Sequence, residues 1–97
     1  MRYAIVLSPE AVEDLSHLRA NVRAQVRDAI ETHLRHTSTK VSKSSIKRLR
    51  GLKRPEYRLR VDEIRIYYDV IENNVEILAI ISKSESADWL ARVGEEE

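Results

Sequence analysis

Tyr57-Arg58-Leu59-Arg60-Val61-Asp62-Glu63-Ile64-Arg65-Ile66-Tyr67-Tyr68-Asp69-Val70 is the stretch whose reading decides the fold. Side chains alternate along a strand with period two. Tyr57, Leu59 and Val61 therefore point one way, and Arg58 and Arg60 the other. In the second run Ile64, Ile66, Tyr68 and Val70 share a face, while Arg65, Tyr67 and Asp69 share its opposite. Only Asp62-Glu63 separate the two runs, which predicts a hairpin. Burying both apolar faces against one core gathers Arg58, Arg60 and Arg65 on one open sheet surface. Each guanidinium offers a planar fork of donors and keeps its charge, so the trio suits phosphate. Cross-strand pairing with Glu63, Asp69 or Glu76 is the structural alternative, and exposed pairs of that kind contribute little.

Upstream of the hairpin lies a basic ramp, Lys47-Arg48-Leu49-Arg50-Gly51-Leu52-Lys53-Arg54. Residues 40–60 hold nine bases (Lys40, Lys43, Lys47, Arg48, Arg50, Lys53, Arg54, Arg58, Arg60) against one acid, Glu56, a net +8. The whole chain carries only +1, which leaves −7 for the remainder. This asymmetry predicts a polyanion-binding face on an acidic body. A solvated basic loop would carry the same run. Residues 37–45 read as a polar loop, and Gly51 and Pro55 punctuate the approach to the sheet.

Further out, residues 2–7 predict a first strand. Ser8-Pro9-Glu10 is a helix start: Ser can cap, Pro suits the first helical position, and Glu favours the positive end of the dipole. Ala11, Leu15 and Leu18 follow at helical spacing. After a break near Ala20-Asn21, with Asn21 as cap, Val22, Val26, Ala29, Ile30 and His33 or Leu34 line a second helix. Beyond the hairpin, Glu72-Asn73-Asn74 predicts a turn. Residues 75–81 are nearly continuously apolar and so predict a central strand. A short last helix follows, capped by Ser84, with Trp89, Leu90 and Val93 on its apolar side. Gly94 fits its end, and Glu95-Glu96-Glu97 should fray. The fold class is α+β, one domain over residues 1–97. An N-terminal strand leads to an antiparallel helix hairpin packed on one face of a mainly antiparallel sheet, and a short C-terminal helix closes the chain. All helices are expected on one side, with the arginines on the free face.

The chain has no Cys, which excludes disulfides, zinc–thiolate sites and a Cys nucleophile. His17, His33 and His36 all fall on the helix hairpin and read as surface or packing residues, so no metal site and no cofactor is expected. The longest apolar run, Ile77-Leu78-Ala79-Ile80-Ile81, is far below the ~20 residues that span a bilayer. Met1-Arg2-Tyr3 enters a strand too short for a secretory signal. No membrane partner is expected, and the localisation expected is cytoplasmic.

The order of elements, the basic Leu-Arg-Gly run ending at Gly51, the Tyr57-Arg58-Leu59-Arg60 strand and the Ile64-Arg65-Ile66-Tyr67-Tyr68 strand together resemble the RelE/ParE toxin superfamily. The resemblance covers essentially the whole chain. It implies a microbial-RNase-like fold and the toxin of a type II toxin–antitoxin pair. A RelE-like toxin enters the ribosomal A site and cuts mRNA there, which makes the ribosome and a cognate antitoxin protein its partners. DNA contact would come only through the antitoxin complex. The catalytic positions implied are Arg58, Arg60 and Arg65. Lys47, Arg48, Arg50, Lys53, Arg54, Tyr67 and Lys83 are the RNA-binding candidates, with Tyr67 able to stack on a base. The family's Arg after the last strand and Tyr near the last helix fall here on Ser84 and Leu90. Lys83 and Trp89 are each one position away. Arginine, with a pKa above ~12, is a poor base but can stabilise a phosphorane. Two other readings stay open: a ParE-like inhibitor of DNA gyrase, and a catalytically weakened toxin acting as co-repressor with its antitoxin.

Overall fold

A computed structural model describes residues 2–42 and 45–97. Met1, and Lys43 and Ser44 of the basic segment and polar loop, lie outside the described residues.

The predicted hairpin is the centre of the molecule. β4 (Tyr57–Val61) and β5 (Ile64–Ile71) pair antiparallel, with Tyr57 opposite Tyr68, Leu59 opposite Ile66 and Val61 opposite Ile64. Asp62 takes a positive φ of 51° in the two-residue turn, a conformation short polar side chains tolerate. β1 (Ala4–Leu7) and β6 (Asn74–Ser82) run parallel to each other, and β2 (Ile46–Arg48) lies antiparallel on the other flank of the hairpin. The sheet order is β1-β6-β5-β4-β2. β6 is thus interior, as its apolar run predicts. The ramp also carries β3 (Leu52–Arg54), introduced by Gly51 at a φ of 77°. The Arg54–Pro55 peptide is cis.

One face of the sheet holds the core. Leu59, Ile66, Tyr68, Val75 and Ile77 are fully buried there, each apolar side chain worth roughly 1.5–3 kcal/mol. They meet Ala11 and Leu15 of α1 (Pro9–Ser16) and Val26 of α2 (Ala20–Ala29). The second helix continues through a π-helical stretch, Ile30–Leu34, into α3 (Arg35–Thr37). Ile30 and Leu34 extend its buried stripe. Ser8 caps α1 by accepting from the Ala11 N–H at 3.1 Å, as predicted. Arg19, not Asn21, precedes α2 and gives no side-chain cap. Arg23 instead ties the joint by donating to the carbonyls of Ser16 and Leu18. The Tyr68 hydroxyl donates to the buried Ser38 carbonyl at 2.7 Å, and burial pushes its pKa up.

β6 carries a bulge. Tyr67 faces Ala79 and Tyr68 faces Ile77, so Leu78 is the extra residue. β1 ends opposite Ile77, and side chains from the first helical turns serve the β6 backbone beyond it. The Ser8 hydroxyl donates to Leu78 O at 3.1 Å, and an Asp14 carboxylate oxygen accepts the Ile80 N–H at 3.0 Å.

Two expectations are corrected. The last helix, α4 (Lys83–Val93), does not join the other helices but crosses the arginine-bearing face, where Trp89 stacks on Tyr67. Its cap position is Ser82 rather than Ser84. The closing glutamates do not fray either. β7 (Glu95–Glu96) pairs antiparallel with β3.

Candidate nucleic-acid interface

The hairpin register assembles the site. Arg58 lies opposite Tyr67, and Arg60 lies opposite Arg65. Because the two strands share one alternation, all four side chains leave the sheet on the face away from the core. Three arginines thereby occupy two alternate rungs of the ladder, neighbours on one face.

Their environments differ. Arg60 is exposed, and among the described residues its side chain makes no hydrogen bond or ion pair. Arg58 is half-buried, and among the described residues its Nε is buried without a partner. Burial lowers its pKa first, and repulsion by Arg65 and then Arg60 adds to the shift. It stays a cation, with a donor unsatisfied and like charges around it. An unpaired buried donor of this kind costs free energy that an anionic acceptor would recover. Arg65 is only 7% exposed and is turned inward: its Nη1 donates to Asp62 O at 2.6 Å and Ile64 O at 3.1 Å. Arg65 therefore braces the hairpin turn, a role the alternation pattern does not reveal.

Two of the three carboxylates that could have neutralised the trio are engaged elsewhere, and exposed Glu63 makes no ion pair among the described residues. Asp69 is buried, accepts the Glu56 N–H at 2.8 Å and meets Arg54 Nε at 2.8 Å. Glu76 lies 3.6 Å from the same Arg54 guanidinium. Burial raises the Asp69 pKa, against the lowering effect of the Glu56 N–H and the Arg54 charge. Arg54 thus holds two acids on the sheet, and among the described residues no carboxylate pairs with the trio.

The roof over this surface is aromatic. Tyr67 is 3% exposed because Trp89 covers it, ring centroids 5.1 Å apart at 24°. Trp89 packs against the sheet, and Tyr67 is closed to a base while α4 sits there. Lys83 opens α4 as an exposed residue, and its N–H donates to Glu63 O at 2.7 Å, which fixes it beside the hairpin turn. The Ser84 hydroxyl bonds to that of Ser82. Leu90 lines a groove with Lys47, Leu49, Arg50 and Leu52.

Along the ramp, Lys47, Arg48, Arg50 and Lys53 are exposed. Arg48 approaches Glu56 at 3.6 Å, a pairing that solvent leaves weak. The charged track and the arginine trio meet through β4, where Lys47 lies opposite Arg58. Among the described residues no group of three His, Cys, Asp or Glu is arranged to hold a metal ion, and no helix is long and apolar enough to cross a membrane.

Sequence reasoning missed three contributors: Asp14 on the β6 backbone, the inward turn of Arg65, and the seating of Glu95-Glu96 on β3. The last had a signal, since a run of acids follows a glycine helix stop in a chain whose bases are concentrated in one ramp.

Residues 5–87 match the family model described as the ParE toxin of the type II toxin–antitoxin system parDE. No curated protein matches the chain. Among solved structures, a mutant of the E. coli toxin RelE in the free state superposes with a TM-score of 0.71 at 21% identity, covering 96% of this chain and 99% of that one. The toxin–antitoxin complex RelBE2 from Mycobacterium tuberculosis gives 0.69 at 22% identity, covering 84% and 99%. The RelB–RelE complex from Methanococcus jannaschii gives 0.68 at 21% identity, covering 87% and 96%. At these identities the superpositions establish a shared fold.

Proposed function

The chain belongs to the ParE toxin family of type II toxin–antitoxin systems, and from that premise we propose that it is a ribosome-dependent endoribonuclease that cuts mRNA in the A site. The observation that carries this reading is a trio with no carboxylate partner among the described residues, with the buried Arg58 Nε lacking an acceptor there. A scissile phosphate supplies that acceptor. Arg58 and Arg60 would clamp the phosphorane charge, and Arg65 would hold the turn and add its field. Lys47, Arg48, Arg50 and Lys53 would follow the RNA backbone, with Lys83 at the hairpin turn. Arg54 contributes through Asp69 and Glu76 rather than by reaching out.

The test is to express the chain and map mRNA 5′ ends on translating ribosomes. New ends within codons are expected, and Arg58→Ala should lower their yield by about 10²–10³, the effect of losing one charge-stabilising donor. Absence of new ends with translation unimpaired overturns the reading.

A second reading, inhibition of DNA gyrase, is favoured by Ser84 and Leu90 at the positions where RelE-like nucleases carry Arg and Tyr. Supercoiling by purified gyrase in the presence of the chain separates the two. In either case the partner proposed is a cognate antitoxin, in the cytoplasm, whose acid-rich segment wraps the domain and neutralises the basic face. Association should be fast and weakened by salt. DNA contact would come through that complex.

A further inference from the structure

The chain's own acids lie against its basic ramp. β7 runs antiparallel to β3, with Glu96 opposite Leu52 and Glu95 opposite Arg54, so that Lys53 is the extra residue of a bulge. The Glu97 N–H reaches the Gly51 carbonyl at 3.4 Å. Glu97 then closes one side of a groove whose other walls include Lys47, Arg48 and Arg50. Gly94 makes this return feasible. A Cβ built there would stand 2.5 Å from the Leu90 carbonyl oxygen and 3.2 Å from Leu52 Cδ2. Glycine lets the chain leave α4 and fold back against β3 at once.

Backbone pairing holds this strand in place. Among the described residues no Lys or Arg of the ramp comes within ion-pair distance of Glu95, Glu96 or Glu97. The carboxylates remain exposed, and Glu97 shares its groove with Lys47, Arg48 and Arg50, so the opposite charges interact through solvent and are screened by salt. A two-stranded pairing this short is marginal by itself and opens at low cost. The arrangement is therefore an anionic strip laid along a cationic track and released easily.

We propose that Glu95-Glu96-Glu97 is an intramolecular competitor that holds nucleic acid off the Lys47–Arg50–Lys53 track until phosphates displace it. The inference rests on the reading of the ramp as an RNA contact. It adds that the free protein is self-screened. An RNA of adequate length and charge must replace the strip, so weak or short polyanions are rejected.

The experiment measures binding of a labelled single-stranded RNA oligonucleotide to the full chain over a salt series. The comparison variant carries Glu95→Gln, Glu96→Gln and Glu97→Gln together, which keeps the backbone pairing and removes the charge. Its affinity should rise about tenfold or more at low salt, and its log affinity should fall more steeply with log salt, by up to ~2 in slope, since each phosphate contact on a single strand contributes ~0.7. Gly94→Ala, which unseats the strand without altering charge, should also tighten binding. A control triple substitution on remote exposed acids, Glu13→Gln, Asp28→Asn and Glu72→Gln, should give a much smaller gain. Equal affinity for the native chain and the glutamine variant overturns the proposal. So does an equal gain from the remote control, or no gain from Gly94→Ala. The nuclease reading fails separately: tighter RNA binding by the glutamine variant with no mRNA cleavage by any variant leaves the competitor standing and removes the enzyme.

Discussion

Trp89 lies stacked on Tyr67, and the pair separates the arginine-bearing sheet face from solvent over the middle of β5. α4 is therefore a cover as well as a terminal helix. The stack is an aromatic contact that joins α4 to β5, so the cover's stability leans on it.

Replacing Trp89 with Ala should accordingly loosen α4 more than any other single change on that helix. A half-buried Trp with a stacking partner is worth about 2 kcal/mol, of which roughly 0.5–1.5 belongs to the ring pair. Urea unfolding measures the loss. The reactivity of Arg58 toward an arginine-modifying reagent should rise in parallel, and unchanged reactivity would mean that α4 stays seated without its indole.

Arg65 provides a second test, because its donors serve the backbone of the turn. Arg65→Lys keeps the charge but loses Nη1, the one nitrogen that reaches both Asp62 O and Ile64 O. Stability should drop by about 1–3 kcal/mol, the usual result of leaving buried acceptors unmatched. Arg60→Lys, on the exposed neighbour opposite, should change stability by less than about 0.5 kcal/mol. Equal effects at the two positions would refute the bracing role.

Asp69 predicts a pH signature. Burial raises its folded pKa above the unfolded value near 3.8. Below that value both states are protonated and the group contributes nothing. As pH rises through the interval up to the folded pKa, the folded state binds more protons than the unfolded one, so stability falls. Asp69→Asn should remove this downward slope while keeping an oxygen for the Glu56 N–H. Unfolding free energies of both proteins from pH 4 to 7 give the difference directly, and parallel curves would contradict the assignment.

Asp14→Ala should cost about 1–3 kcal/mol, because Asp14 is half-buried and the Ile80 N–H loses its acceptor. Asp14→Asn should recover much of that, since an amide oxygen can still accept. Hydrogen exchange at Ile80 reports the bond itself: protection is expected in the native chain and in Asp14→Asn, and lost in Asp14→Ala.

The hairpin and its arginine face were legible because alternation is a local property, and the two-residue Asp62-Glu63 turn fixes the register without reference to anything else. The buried sides of Tyr68, Leu59 and Ile66 followed from the same pattern. The side on which α4 packs was not legible. It depends on where the chain leaves β6, and the bulge at Leu78 is hidden inside Ile77-Leu78-Ala79-Ile80-Ile81, a run with no polar residue to mark a change of phase. Likewise nothing in Leu52-Lys53-Arg54 announces a strand until Glu95-Glu96 is known to lie beside it. Arg65 was legible as a member of the face but not as a brace, because its inward turn answers carbonyls that any sequence would carry.

The side-chain closure of β6 also bears on solubility. Beyond Ile77 the strand keeps a row of main-chain donors and acceptors that β1 is too short to cover, and these would offer a second molecule a template for strand addition. Ser8 and Asp14 occupy that row with groups that cannot propagate a sheet. A substitution at Asp14 thus exposes an adhesive margin as well as weakening the fold, and its carriers should enter inclusion bodies at expression levels where equally destabilised core variants stay dispersed.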